Sequence, residues 1–225
     1  MEEKAKKIPD SYYYDGRKKK WKIENINGKI ERPCKEVMDK WLKMWDEKEG
    51  YIEQENALDK LFFQLCPENS ELDDILIKCC TLNDFYSTNI YKVLKVAQII
   101  REMGVDLVIK SDKRNPAFVE ELCNRVKNAT GRGIYSFATK YMSHHRPDLY
   151  PIYDSFVAKI LRYFRDNEGF KDVDNFSDDE LENYTSFCRI IDNFKVYFSL
   201  QNYSVKDVDK LLWQMGKYHF PKYQQ

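Results

Sequence analysis

Residues 123–164 read CNRVKNATGRGIYSFATKYMSHHRPDLYPIYDSFVAKILRYF, and the reading of the chain turns on them. Apolar residues at helical spacing run to about Asn128, a tight Thr130-Gly131-Arg132-Gly133 turn follows, and a second helix begins almost at once. Two glycines one apart permit positive φ and a close backbone approach. The amides at the next helix start are then free to hold a phosphate oxygen, helped by the helix dipole. Such a nest is made mainly of backbone, so it grips a strand without reading its sequence. The same residues also suit a plain helical corner. Downstream, Pro147-Asp-Leu-Tyr-Pro151-Ile-Tyr-Asp154 is a proline-punctuated loop. It ends with Asp154 in an N-cap position before a helix over 155–164. Capping alone also accounts for an aspartate there, at about 1 kcal/mol.

On either side the pattern stays helical. Glu36–Lys48 places Val37, Met38, Trp41, Met44 and Trp45 on one stripe, and Leu72–Thr81 repeats the pattern. Asn89–Met103 does so again and is stopped by Gly104. Pro116 opens a helix at its first turn, and Ile134–Met142 is another candidate. Ser177-Asp-Asp-Glu180 reads as a capping box before a long helix to about Ser199, and Ser204–Gly216 closes the series. Strand signals are scarce: Val105–Ile109 is brief. The expectation is an all-α protein of eight to ten helices, simplest as one unit with two lobes. The first 30 residues differ. Tyr12-Tyr13-Tyr14-Asp15-Gly16, Trp21-Lys-Ile23 and Asn27-Gly28 suit a small hairpin or an extended arm. The division expected is an arm over 1–32 and a helical domain over 33–225.

The 225 residues carry 37 basic and 37 acidic side chains, a balance that hides a segregation. Residues 86–165 hold fourteen basic and seven acidic groups, whereas 51–85 hold two basic and eight acidic. A basic middle between acidic flanks can present a positive face to phosphate, or be no more than solvated helix surface. With 43% hydrophobic residues, disorder and collagen-like structure are excluded. No apolar run approaches the ~18 residues of a membrane span. The N-terminus lacks the apolar core of a secretory signal, so a cytoplasmic setting with free thiols is expected. Neither the six cysteines nor the three histidines match a metal-ligand spacing, and no metal or cofactor is expected.

Gly131-Arg-Gly133, a helix, then Pro151-Ile-Tyr-Asp154-Ser-Phe-Val157 resembles the helix-hairpin-helix/Gly-Pro-Asp superfamily of DNA glycosylases, with 21 residues from the second glycine to the aspartate. The likeness covers roughly residues 70–165 and is strongest over 129–157. It departs from the family in three places. The family's L-P-G-(V/I)-G is Ala129-Thr-Gly-Arg-Gly here, and the histidine after the aspartate is replaced by Phe156. The position of the Schiff-base lysine of bifunctional members is Tyr135, which cannot form an imine.

The resemblance implies a helix-hairpin-helix motif and a monofunctional hydrolase without lyase activity. Asp154 would stabilise the oxocarbenium-like sugar and orient or deprotonate the attacking water. The partner would be DNA with a base flipped into a pocket, met by a monomer away from any membrane. Asn83 would then contact a base edge, with Tyr86, Tyr153 and Trp45 as wall or stacking residues, each equally suited to a core. Gly131, Arg132, Gly133, Tyr135 and Lys140 would meet the DNA backbone. Lys140 lies on the same helix as Tyr135 but 1.5 turns further along. His144-His145 read either as phosphate or sugar contacts, or as partly positive imidazoles at a helix end. Repair of a damaged base and attack on modified phage DNA are the two branches of this reading. The rival is a non-enzymatic helical DNA-binding or adaptor module, in which Asp154 is only a cap.

Overall fold

The computed structural model describes the backbone of residues 12–15 and 20–23 and the whole of 26–221. Strands β1 (Tyr12–Asp15) and β2 (Lys20–Ile23) pair antiparallel, Tyr12 opposite Ile23 and Asp15 opposite Lys20, so the N-terminal segment contains a ribbon. Everything after it is helical. The elements are α1 (Lys35–Asp46), α2 (Glu49–Lys60), α3 (Leu72–Tyr86), α4 (Val93–Met103) and the short α5 (Val105–Ile109). They continue with α6 (Pro116–Thr130), α7 (Tyr135–His145), α8 (Ser155–Asn167), α9 (Tyr184–Tyr197) and α10 (Val205–His219).

Local chemistry sets these ends. Asn115 accepts from the Phe118 amide with Pro116 in the first turn of α6, and Asp154 caps α8 through the Phe156 amide at 2.9 Å. Ser204 and Asp207 form a reciprocal capping box on α10. Helix α6 ends on Gly131 at φ +77°, the left-handed region in which a side chain is strained, and α7 starts four residues later.

Three expectations change. Glu49–Lys60 forms a helix that its sequence pattern hid, because Leu58 is its sole buried residue. Val105–Ile109 is one helical turn. The long helix expected from Ser177 is broken: Asp179–Glu182 is a 3-10 turn, and Asn183 caps α9 through the Ser186 amide. Glu180 does reach back to the Ser177 amide at 2.7 Å, so half of the box forms. The turn is held open because Arg162 and Arg165 take Asp178 while Arg189 takes Glu180.

Most of the phenylalanines are core. Phe164, Phe170, Phe194 and Phe198 cluster with centroids 4.6–6.1 Å apart. A second, polar core lies under α3 and α7, where the buried Lys78 ammonium donates to the Cys66 and Glu68 carbonyls and to Asn69 Oδ1. The segment before α1 is pinned to the end of α10: the Asn27 amide donates to the His219 carbonyl at 2.9 Å, and Ile30 is buried. The packed body therefore begins a few residues before the boundary expected at 32.

Helix α10 crosses the start of α8 at Gly216. A Cβ built there would lie 2.4 Å from the Phe156 carbonyl oxygen and 2.7 Å from its carbon. Gly216→Ala therefore pushes α10 away from the segment that carries Asp154. The expected cost is roughly 1–3 kcal/mol in urea unfolding. Gly50→Ala, where a Cβ meets open space, costs nothing comparable.

Candidate active site

Asp154 sits on a loop whose backbone is held from several sides. The Tyr150 hydroxyl accepts from the Asn115 amide, and the Tyr184 hydroxyl donates to the Pro151 carbonyl at 2.9 Å. The Ile152 amide donates to Asp209 Oδ2 at 2.9 Å, and the Tyr153 amide donates to Thr139 Oγ1 at 3.1 Å. Ser136 Oγ donates to the Tyr153 carbonyl at 3.1 Å. Helices α7, α9 and α10 thus fix the loop before the aspartate caps α8. A carboxylate that must meet one atom of a sugar needs such pre-organisation.

Lys140 completes the arrangement. Its side chain is 4% exposed, donates to Ser136 Oγ at 2.6 Å, and lies 3.7 Å from Asp154 Oδ2. Asp154 keeps 23% of its side chain open. The lysine expected at a phosphate is instead an inward amine paired with the aspartate. Ser136 and Lys140 are four apart and share the helix face the returning loop covers. Tyr135 faces elsewhere: its hydroxyl donates to the Leu181 carbonyl and its ring packs on Tyr153 and Tyr184.

Lys140 also lines a cavity of about 310 Å³ enclosed by α1, α2, α7, α10 and the end of α3. Ile152 and Val157, two residues before and three after Asp154, line it as well; Asp154 is not among the lining residues and meets the cavity through Lys140. Trp45, Tyr51 and Trp213 form one wall, with centroids 5.0–5.8 Å apart. Deeper in, Tyr86 OH lies 2.9 Å from His144 Nε2. Burial pushes the His144 imidazole down to about 3, so it is neutral and its tautomer sets which of the two donates. The same burial lowers His145, whose Nε2 lies 3.2 Å from Asn69 Oδ1. Partly positive imidazoles at a helix end are therefore not what this pair provides.

Glu55 lies 3.1 Å from Lys206 and 2.9 Å from Lys210. Burial works against its charge, yet the two lysines hold its carboxyl below the ordinary value. Lys217 lies over the Trp213 ring at 4.6 Å. Four lysines, 140, 206, 210 and 217, thus line the cavity against Glu55 and Asp209.

Of the residues singled out in the sequence, Trp45, Tyr86 and Lys140 line the cavity, and Asp154 reaches it only through its contact with Lys140. Asn83 does not line it. Its Oδ1 accepts from the Ile90 amide and the Thr88 hydroxyl, and its Nδ2 donates to the Ile90 carbonyl. It ties down the α3–α4 loop, so Asn83→Ala costs about 1–3 kcal/mol in thermal unfolding and leaves the cavity's ligand preference unchanged. Tyr153 points into the core against Tyr135 and Phe187. Arg132 stands at the exposed Gly131–Gly133 corner over the Tyr91 ring at 4.5 Å, beside a second, smaller hollow. Arg146 is taken by Asp148 and by the Ile109 and Ser111 carbonyls. Sequence reasoning missed Glu55 and the α10 residues Lys206, Asp209 and Lys210. The available signal was an aspartate beside Val208 on the apolar face of α10.

Among the described residues no helix is long and apolar enough to cross a membrane, and no group of His, Cys, Asp and Glu is arranged to hold a metal ion. A helical body with a lysine–aspartate pair at the edge of a ring-walled cavity is the class of protein defined here.

The family model described as HI_0787_N, N-terminal domain, matches residues 37–149. The chain belongs to that family. It is 37% identical over 141 residues to an uncharacterized protein of Haemophilus influenzae, the match covering 62% of this chain. The chain spans 65% of the length of that relative. No solved structure matches. The family match includes Lys140 and stops before Asp154.

Proposed function

We propose that the protein is a DNA glycosylase that removes a damaged or modified base and leaves an abasic site. The observation that carries the reading is the Lys140–Asp154 pair, 3.7 Å apart, at the edge of a ring-walled cavity of nucleobase scale. Cleavage of an N-glycosidic bond builds positive charge on the sugar, and the fixed Asp154 carboxylate is the group to stabilise it and to direct water at the anomeric carbon. The exposed Gly131–Gly133 corner offers the strand the Arg132 charge and the Gly133 amide, since the Gly131 and Arg132 amides donate to the Lys127 carbonyl and to Thr130 Oγ1. A monomer in the cytoplasm, acting in repair or against modified phage DNA, is the setting this reading carries.

Lys140 bears on the second step. With Tyr135 turned into the core, the amine beside the aspartate is Lys140, and it decides between hydrolysis and imine chemistry. Incubating the protein with normal, oxidised, alkylated, deaminated and phage-modified DNA, then cleaving with alkali, tests the glycosylase. Alkali-labile sites in one class of DNA are the expected result. Salt-sensitive binding with no such sites in any class leaves the DNA-binding module in its place. Borohydride added during turnover traps a covalent adduct only if an amine of the protein attacks the sugar, and loss of the adduct in Lys140→Ala assigns that amine to Lys140. The hydrolytic reading expects none.

A further inference from the structure

One face of α10 is a row of cations. Lys206, Lys210, Trp213 and Lys217 share a face at helical spacing, and all four line the cavity. Lys206 and Lys210 keep only 22% and 17% of their side chains exposed, and like charges four apart on a helix repel. Their carboxylate partners come from α2: Glu55 bridges both, and Asp59, one turn further along, acts on both as well. Asp209 offers a ligand nothing, because its Oδ2 accepts from the Ile152 amide and its Oδ1, without a hydrogen-bond partner among the described residues, is sealed from the cavity. Lys217, exposed at the far end of the row, is different. It donates to the Tyr51 hydroxyl at 2.8 Å and lies over the Trp213 and Tyr51 rings, with no carboxylate partner among the described residues. Lys210 lies over Trp45 at 5.1 Å. Two ammoniums thus rest on one cluster of three rings, at a cavity whose other walls include Leu58, Phe85, Ile152 and Val157.

We infer that this cavity binds a nucleoside monophosphate unit, its base inside against the apolar and aromatic walls and its phosphate at the mouth on the Lys210 and Lys217 ammoniums. A neutral ring leaves the cationic end unanswered, a bare anion leaves the apolar walls in water, and an anion that carries a ring satisfies both. A phosphate drawn to Lys217 displaces only an exposed contact between an ammonium and rings, which is weak in water, and gains charge-assisted hydrogen bonds. Glu55 sets the polarity, since it repels a phosphate from the Lys206 end of the row. The volume of about 310 Å³ holds one base and leaves the phosphate at the open end. A free nucleotide and a nucleotide flipped out of a strand present the same base and phosphate. The second source rests on the glycosylase reading; the site itself rests on the lysine row and the cavity.

Trp45 and Trp213, two of the four tryptophans, stand in the wall and give a local readout. The full chain is titrated by tryptophan fluorescence and calorimetry with deoxyadenosine, deoxyguanosine, deoxycytidine and thymidine, with their monophosphates, and with inorganic phosphate. At least one monophosphate changes the tryptophan emission and binds at least about tenfold tighter than both its nucleoside and inorganic phosphate. Lys217→Gln, at an exposed position that tolerates the change, cuts that preference at least about fivefold. Lys43→Gln, an exposed change on α1, leaves it intact. Equal affinity for a nucleoside and its monophosphate overturns the assignment, as does a phosphate preference undiminished in Lys217→Gln, or no binding of any monophosphate. Competition with a single-stranded hexanucleotide then assigns the source. Displacement of the monophosphate means a strand nucleotide, no displacement means a free one, and either upholds the site. Base release from DNA is scored separately. Monophosphate binding without base release keeps the site and removes the glycosylase, and base release without a phosphate preference does the reverse.

Discussion

On the glycosylase reading, Asp154→Asn lowers single-turnover base release by roughly 10²–10⁴-fold in a protein that still folds. The two halves of that result come from different properties of one side chain. As an N-cap, asparagine serves as well as aspartate, since its carbonyl oxygen still accepts from the Phe156 amide. As a charge it does nothing: the amide neither stabilises an oxocarbenium-like sugar nor deprotonates water, and the ion pair with Lys140 is lost. The measurement is the rate of alkali-labile site formation under enzyme excess, with a urea melt of the same preparation. Undiminished release in a folded Asp154→Asn protein removes Asp154 from the chemistry and reduces it to a cap. A modest fall in the midpoint accompanies the expected loss, because the buried Lys140 ammonium loses its counter-ion.

Asp209→Asn makes the protein more stable at pH 7 than the wild type, and the gap closes as the pH is lowered. The carboxyl titrates at the ordinary 3.8 when unfolded and at about 8 when buried, the desolvation outweighing the Ile152 amide on its own loop, Lys206 on its own helix, Lys140 on α7 and Arg114 before α6. The folded chain thus holds a proton that the unfolded chain releases. The stability this group allows is fully present below pH 4 and is lost as the pH rises toward 8, at roughly 1.4 kcal/mol per unit. At pH 7 the loss is of order 4 kcal/mol. The amide has no such titration and still accepts from Ile152. Unfolding free energies of both proteins at pH 4, 5.5 and 7 check the slope. A gap independent of pH means that Asp209 is charged in the folded state.

The helical body was legible in the sequence because burial imposes a period. Stripes such as Val37, Met38 and Trp41, or Val119, Leu122 and Val126, are core in the structure as their spacing implies. Helix starts were legible where one residue decides them, as at Asp154 and Pro116. Helix α2 was not, because it buries Leu58 alone and its charges show no face. Nor was the break before Asn183, which depends on arginines of α8 and α9 reaching Asp178 and Glu180.

For the site the division is sharper. Local spacing determined that an aspartate follows a proline loop after a glycine corner, and that reading needed no neighbours. Which lysine meets it was decided by tertiary structure, because residues 146–153 fold back over the Ser136–Lys140 face of α7 and leave Tyr135 facing the core. The cavity likewise joins α1 and α2 to α10, elements more than 140 residues apart in the chain. A sequence records the periodicity that buries a helix face, since each face is a property of its own segment. It does not record which faces meet, and the Lys140–Asp154 contact and the unpartnered oxygen of Asp209 exist only after they have.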